Sequence, residues 1–251
     1  MQGRYGPAAD CHTQALRIAR AAGHRIGELG ALIGLGGVHR AQGRYGPAAD
    51  CYTQALQTAQ AAGHRGGELK ALNGLGWVHY LQGRYGPATG CLTRALQTAR
   101  VTGDLVGELT ALNGLGRIHH AQGRLGRAAG FFEQVLDLAR ESADLNFQLE
   151  AHLGLGRVHH ATGHPTRALA VHQMALALAQ DLNQPADQAR AHDGLAHAYH
   201  TLGHLDQARR HWQDALHILT TLDTSTLADL SAADLRTHLT DPETSHSPTS
   251  P

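Results

Sequence analysis

Apolar positions along the chain follow a helical spacing that returns every forty residues. Two leucines three residues apart, followed directly by a glycine, occur at Leu32, Leu35 and Gly36, then at Leu72, Leu75 and Gly76, then at Leu112, Leu115 and Gly116. Side chains three or four residues apart lie on one face of an α-helix and form a buried stripe. The pattern therefore predicts one half-buried helix, helix A, in each forty-residue unit.

A second helix, helix B, is predicted after each helix A. Gly43 and Gly83 lie between the two, where a helix can end in the left-handed conformation that glycine adopts easily. Pro47 and Pro87 follow, and proline is tolerated near a helix start because the missing N–H has no partner there. Each unit is thus expected to form an antiparallel helical hairpin.

The repeat is most regular at the start of helix B. Residues 3–10 read Gly-Arg-Tyr-Gly-Pro-Ala-Ala-Asp and recur unchanged at 43–50, with diverging copies from Gly83 and Gly123 onward. A fixed period of this length indicates stacked supersecondary units, each burying its apolar face against its neighbours. The sequence predicts such a stack instead of one thick core.

Three further positions in helix B carry a family resemblance. The first is always alanine, at Ala8, Ala48, Ala88, Ala128, Ala168 and Ala208. The position four residues later is mostly large, at His12, Tyr52, Leu92, Phe132, His172 and Trp212. The last is small, at Ala15, Ala55, Ala95, Val135, Ala175 and Ala215. This pattern resembles the tetratricopeptide repeat, although the unit has forty residues and its opening aromatic is replaced by leucine or histidine.

The resemblance implies an all-α fold, a right-handed superhelical solenoid of antiparallel helix hairpins. Forty-residue variants of this kind resemble the arrays of actinobacterial transcriptional regulators and signalling ATPases. We expect residues 1–24 to be the orphan second helix of a truncated repeat and residues 25–221 to form five hairpins. Residues 222–251 are expected to form a short capping helix, starting at a capping box at Ser231, and a disordered Ser/Thr/Pro tail. The orphan helix suggests a fragment, or the carboxyl part of a longer protein.

Composition removes several classes of function. The 21 basic and 21 acidic residues balance, so the chain has no basic footprint for direct nucleic-acid binding. The sequence shows neither a signal peptide nor a long apolar run, so it gives no support to secretion or membrane insertion. Cys11, Cys51 and Cys91 are forty residues apart and occupy equivalent places, which favours a reducing cytoplasm over a disulfide framework.

The face of helix A opposite the leucine stripe is the predicted binding surface. Positions separated by three, four and three residues share a helix face, and in the proteins that this chain resembles such positions line a concave groove that holds an extended peptide. The groove face predicted here comprises Lys70, Asn73, Trp77, Tyr80, Asn113, Arg117, His120, Arg157, His160, Arg190, His197 and His200. Asparagine can pair with a peptide backbone, arginine with a carboxylate, and tryptophan can anchor a side chain. We expect a protein or peptide partner, with acidic partners as an option, and we expect Trp77 and Tyr80 to be exposed.

No catalytic, cofactor or metal site is predicted. The Gly-Leu-Gly motif at residues 34–36 lies inside a helix with no preceding strand, so it cannot form a phosphate loop. Neighbouring histidines such as His119 and His120 point to different helix faces, which disfavours a shared metal and leaves a pH-sensitive interface as an option.

The function predicted from the sequence is a peptide- or protein-binding scaffold without enzymatic activity. Its expected context is the carboxyl-terminal sensory part of a bacterial signalling or transcription regulator. The alternative is a structural module that self-associates through an exposed N-terminal helix face bearing Ala8, Ala15 and Leu16.

Overall fold

The fold is built almost entirely from helices of equal length. The computed structural model describes residues 5–224, 226–227 and 230–240. Within these residues the helices are α1 (Tyr5–Ala21), α2 (Arg25–Ala41), α3 (Tyr45–Ala61), α4 (Arg65–Leu81), α5 (Tyr85–Thr102), α6 (Leu105–Ala121), α7 (Leu125–Glu141), α8 (Leu145–Ala161), α9 (Pro165–Asp181), α10 (Pro185–Thr201), α11 (Leu205–Thr221) and α12 (Ala232–Thr240). Two-residue strands, β1 (Thr226–Leu227) and β2 (Leu230–Ser231), pair antiparallel before α12. The all-α prediction is confirmed.

The chain divides into two compact units, Met1–Gln122 and Gly123–Pro251. Within each unit, every helix packs against the next one along the chain. The even-numbered helices α2, α4, α6, α8 and α10 correspond to helix A, and the odd-numbered helices from α1 to α11 to helix B. Helices A also contact the following helix A, as in α2 with α4, α4 with α6, and α8 with α10. Hairpins therefore stack within each unit.

A left-handed residue ends a helix every twenty residues. Glycine fills the position at Gly23, Gly43, Gly63, Gly83, Gly103, Gly123, Gly163 and Gly203, with φ between 62° and 79°. The same position holds Ala143, Asn183 and Asp223, whose φ values of 54°, 51° and 51° lie in a region that side chains with a Cβ disfavour. Turns inside a hairpin and turns between hairpins thus share one backbone conformation.

The glycines of helix A make room for the large residue of helix B. A Cβ added to Gly74 would lie 2.4 Å from the ring of Tyr52, and one added to Gly36 would lie 2.9 Å from the same ring. In the second unit, His172 lies in the same way against Gly156 and Gly194, at 2.3 Å from each added Cβ. These glycines therefore serve in packing, which agrees with the expectation that the Gly-Leu-Gly motif does not form a phosphate loop.

Helix α12 packs on α11. Leu235 is fully buried in a cluster with Trp212 and Leu219, and Leu239 packs against its edge. At the start of α12 the Ala233 N–H donates to Ser231 Oγ at 3.1 Å, an N-cap bond. The predicted Ser/Thr/Pro tail after residue 240 lies outside the described residues.

Candidate functional site

Seven of the predicted groove residues lie in the first unit. Helix α4 presents Lys70, Asn73, Trp77 and Tyr80 on successive turns, and α6 presents Asn113, Arg117 and His120. Because α4 and α6 are neighbouring A helices that contact each other, the side chains of the two helices meet along one strip.

Trp77, Tyr80 and Arg117 form a single cluster on this strip. The Arg117 guanidinium carbon lies 5.4 Å from the centre of the Trp77 ring and 5.8 Å from that of Tyr80. The two rings meet edge to face at 5.7 Å. A cation over an aromatic face is worth about 0.5–1 kcal/mol or more. The expectation that both rings are exposed is wrong: Trp77 and Tyr80 are half-buried, and Arg117 packs over them.

The two asparagines are buried instead of facing solvent, and Asn73 joins two helices. Asn73 and Asn113 are only 8% and 5% exposed. The Asn73 amide donates to the carbonyl oxygen of Gly107 at 3.3 Å, which ties α4 to α6. The Oδ1 atoms of both side chains are buried and have no hydrogen-bond partner among the described residues. Each asparagine therefore offers a hydrogen-bond acceptor to a ligand only if its surroundings open.

A cleft of about 560 Å³ opens beside Trp77 in the first unit. Lys70, Asn73, Gly74 and Trp77 of α4 form one wall. The remaining lining residues are Ile33, Arg40, Tyr52, Leu69, Asp104, Val106, Gly107 and Thr110. The volume falls in the range of small-molecule and side-chain pockets. The walls combine apolar side chains with the two cations Lys70 and Arg40.

Ile33 and Arg40 were missed by the sequence analysis, although the signal was present. The spacing of three, four and three that selects Lys70 to Tyr80 selects these residues in the preceding helix A. Arg40 lies close enough to Tyr52 to influence it: burial raises the pKa of the Tyr52 phenol, and the Arg40 guanidinium opposes that rise. The side chain of Asp104 is engaged differently, since Oδ1 accepts the Gly107 N–H at 2.8 Å as the N-cap of α6.

The five predicted residues of the second unit are largely engaged with neighbours in that unit. Arg190 is paired with Asp187 at 2.7 Å and with Glu150 at 3.1 Å, so carboxylates already offset its charge. Arg157 Nε donates to the carbonyl of Leu153, one turn back on its own helix, at 3.4 Å.

The three histidines of this set lie in a group of aromatic rings, in which His197 and His200 contact Trp212. His197 packs edge to face on His238 of α12 at 5.0 Å and on Trp212 at 5.5 Å, and Trp212 stacks on His238 at 4.7 Å. His200 also contacts Trp212, at 5.7 Å. His160 lies 5.7 Å from His197 and 3.2 Å from the Thr201 hydroxyl.

Burial changes the protonation of this cluster. It lowers the pKa of His197 to about 4, an effect reinforced by the nearby His238, His160 and His200. It raises the pKa of Asp193, 3.5 Å from His197, to about 6. His197 is therefore neutral at pH 7 and offers no charge to an acidic ligand. The first unit has the more open arrangement for binding.

Among the described helices, none has the length and apolar composition needed to cross a bilayer. A search of curated proteins finds no match to this sequence.

Solved structures similar to the chain have helical-repeat folds. BtubC (BKLC) from P. vanneervenii matches with a TM-score of 0.71 at 19% identity, over 89% of this chain and 94% of that one. A Rap protein in complex with Competence and Sporulation Factor matches with a TM-score of 0.70 at 15% identity, over 95% and 70%. A signal transduction ATPase of Pyrococcus horikoshii with a tetratricopeptide repeat sensor matches with a TM-score of 0.66 at 13% identity, over 83% and 31%. At these identities the likeness shows the fold alone, and it confirms the predicted class of solenoid.

The sequence itself carries the family signal. The tetratricopeptide repeat model matches three overlapping stretches, residues 27–101, 70–141 and 107–181. Together they span residues 27–181, more than half of the chain. With hairpins of paired A and B helices described over the same stretch, the chain belongs to the tetratricopeptide repeat family.

Proposed function

We propose that the chain is a non-enzymatic scaffold that binds an extended segment of another protein, and that the cleft beside Trp77 anchors that segment. The observation that carries the proposal is the cleft itself, which opens on the predicted groove face and is lined by Lys70, Asn73 and Trp77. A scaffold of the family commonly binds peptides through this face, and the similar Rap protein is solved with Competence and Sporulation Factor.

The chemistry of the cleft favours an apolar side chain next to a carboxylate. Ile33, Leu69 and Val106 supply apolar wall, and Trp77 supplies a large aromatic surface of the kind that dominates binding energy. Lys70 is exposed, and Arg40 lies at the same cleft, so two cations can pair with a ligand carboxylate. The groove residues of the second unit are expected to contribute less to ligand binding, because Arg190 is already paired with Asp187 and Glu150.

The proposed context is the sensory arm of a bacterial signalling or transcription regulator in the cytoplasm. The similar Pyrococcus horikoshii protein is a signal transduction ATPase with a tetratricopeptide repeat sensor, which supports this context by analogy of fold. Free Cys11, Cys51 and Cys91 fit a reducing compartment.

Binding can be tested with synthetic peptides and the full chain. Fluorescein-labelled decapeptides with a central Leu or Phe flanked by Asp or Glu serve as probes, and the same peptides with Lys in place of the acids serve as controls. We expect acidic peptides to be selected by fluorescence anisotropy. Trp77→Ala should weaken the selected peptide at least tenfold, as loss of a buried aromatic anchor does, and Lys70→Ala should weaken it several-fold.

The matched control is Arg44→Ala, an exposed cation of the same unit that lies outside the cleft and makes no side-chain cap bond. Equal binding of acidic and basic peptides would reject the charge preference. Unchanged affinity in the Trp77→Ala protein would reject the anchor site.

Self-association is the second candidate, supported by apolar side chains on α1 and α2. Ile18 and Ile26 are 58% and 49% exposed, and exposed patches of this kind often mark interfaces. Sedimentation separates the two functions, because a scaffold that binds peptide as a monomer keeps the same mass over a hundredfold range of protein concentration.

A further inference from the structure

Three metal-ligating side chains meet between α10 and α11, in the last hairpin of the second unit. His192 Nδ1 lies 2.8 Å from His211 Nδ1 and 3.7 Å from Asp214 Oδ2. One donor atom from each of the three residues lies within 4.8 Å of the others. His211 and Asp214 are three residues apart on α11, so they share a face of that helix. Among the described residues, this is the group whose donor atoms converge on one point.

The trio is not a by-product of the repeat. The positions forty residues earlier hold His152, Val171 and Met174, and those eighty residues earlier hold Leu112, Phe131 and Gln134. Neither earlier set provides three ligands, although the first retains one histidine. Three ligand-type side chains at these positions are thus particular to the hairpin of α10 and α11.

The donor set has a definite chemical preference. Two imidazole nitrogens and one carboxylate oxygen suit the borderline divalent ions of the first transition row, zinc among them. Two ring nitrogens that face each other at 2.8 Å need either a shared proton or a cation between them. The Asp214 carboxylate beside them adds the negative charge that a cation would use.

We propose that His192, His211 and Asp214 form a binding site for one divalent transition-metal ion of the zinc class. Ligands around tetrahedral zinc at 2.0–2.1 Å lie about 3.3 Å apart. The observed separations of 2.8 and 3.7 Å lie on either side of that value, so small side-chain rotations reach it. Three protein ligands leave a fourth position for water or for a donor from a partner.

The surroundings hold the site in shape while leaving it accessible. Tyr199 stacks on His211 with ring centres 5.4 Å apart and planes 6° apart, which fixes the orientation of the imidazole. Ring orientation by neighbouring groups is what tunes a metal ligand. The Asp214 side chain is 58% exposed and provides an entry path for the ion.

Zinc binding by the full chain tests the site. Zn²⁺ is titrated calorimetrically against the purified protein in the presence of a weak competing chelator, which suppresses loose binding by the other histidines. We expect one tight equivalent per chain. Asp214→Ala, whose exposed position keeps the fold intact, and His211→Gln should each weaken that equivalent at least tenfold. His217→Gln, an exposed histidine on the same helix, should leave it unchanged.

A second readout separates metal binding from a fold effect. Zn²⁺ should raise the melting temperature of the wild-type chain, because an ion that binds only the folded state stabilises it, and should raise that of the Asp214→Ala chain much less. The proposal is overturned if no tight equivalent is found, or if Asp214→Ala and His211→Gln bind zinc as the wild type does. A shared proton between His192 and His211 would then explain their close approach.

Discussion

At the scale of single residues, glycines of similar appearance in the sequence serve different purposes. Gly30 and Gly74 both lie inside an A helix, where glycine costs about 1 kcal/mol relative to alanine. A Cβ at Gly30 would meet nothing within 4 Å, whereas one at Gly74 would collide with the Tyr52 ring. That ring is closely packed, because Gly36 also lies against it and Tyr52 is buried.

Alanine at these two positions should therefore have opposite effects on stability. Gly30→Ala should raise the free energy of unfolding by about 1 kcal/mol through helix propensity. Gly74→Ala gains the same propensity but overpacks the hairpin at a cost of about 1–3 kcal/mol, giving a net loss of up to about 2 kcal/mol. Urea denaturation followed by circular dichroism measures both. A stabilised Gly74→Ala chain would show that Tyr52 has room to move.

At the scale of single helices, the C-terminal ends share one backbone turn, whereas the N-terminal ends differ in their side-chain caps. A left-handed residue follows each helix from α1 to α11. Side-chain caps are found on fewer helices. On α2 and α4, His24 and His64 accept the N–H of the third helical residue through Nδ1 at 3.0 and 2.8 Å. Asp104 and Asp144 do so with a carboxylate oxygen. The aspartate cap at 104 is predictable, because aspartate is a preferred N-cap. The histidine caps are not, because histidine has no such preference.

The turn at Ala143 gives a direct test of backbone strain. Its φ of 54° places a Cβ in the left-handed region at an exposed position, which costs about 1–2 kcal/mol. Ala143→Gly should raise the free energy of unfolding by about 1 kcal/mol, while Gly63→Ala at an equivalent turn should lower it by a similar amount. Thermal unfolding of the two variants measures the pair, and a destabilised Ala143→Gly chain would contradict the assigned conformation.

For the whole molecule, one buried histidine links folding to pH. His172 is 2% exposed and takes the place that Phe132 has in the preceding hairpin. Burial lowers its pKa to about 3. The nearby Arg157, His159 and His160 on α8 and His197 on α10 contribute to that lowering. The folded chain keeps this ring neutral, whereas the unfolded chain protonates it below its ordinary pKa of about 6.5. The part of the free energy of unfolding that depends on His172 is therefore fully present above pH 6.5, and it is lost as the pH falls from there towards 3.

Phenylalanine at this position should remove that loss. At pH 5 the wild-type chain should have lost about 2 kcal/mol through His172, since each pH unit below 6.5 is worth about 1.4 kcal/mol. His172→Phe should be less sensitive to acid by that amount when urea unfolding at pH 7.5 and pH 5.0 is compared. His217→Gln, at an exposed site, should follow the wild type. Equal acid sensitivity of the His172→Phe and wild-type chains would mean that the ring is protonated in the folded state.

The sequence predicts the repeat far better than it predicts the site. Period and apolar spacing determine which helices form and which faces are buried, since both depend on residues near one another in the chain. The burial of Asn73 and the packing of Arg117 over Trp77 depend instead on where the next A helix is placed. The contact of His192 with His211 likewise depends on how the two helices of one hairpin pack. The repeat pattern shows which positions are equivalent within single helices, so it does not predict this contact.

The left-handed residue every twenty positions has a consequence for how the array can change in length. Residues 3–10 and 43–50 are identical, so recombination between the corresponding stretches of coding sequence would add or remove forty residues in register. The new junction would end in the same turn as the old one, because Gly23 and Gly63 have nearly the same φ, 63° and 62°. A change in hairpin number by this route would therefore need no new turn.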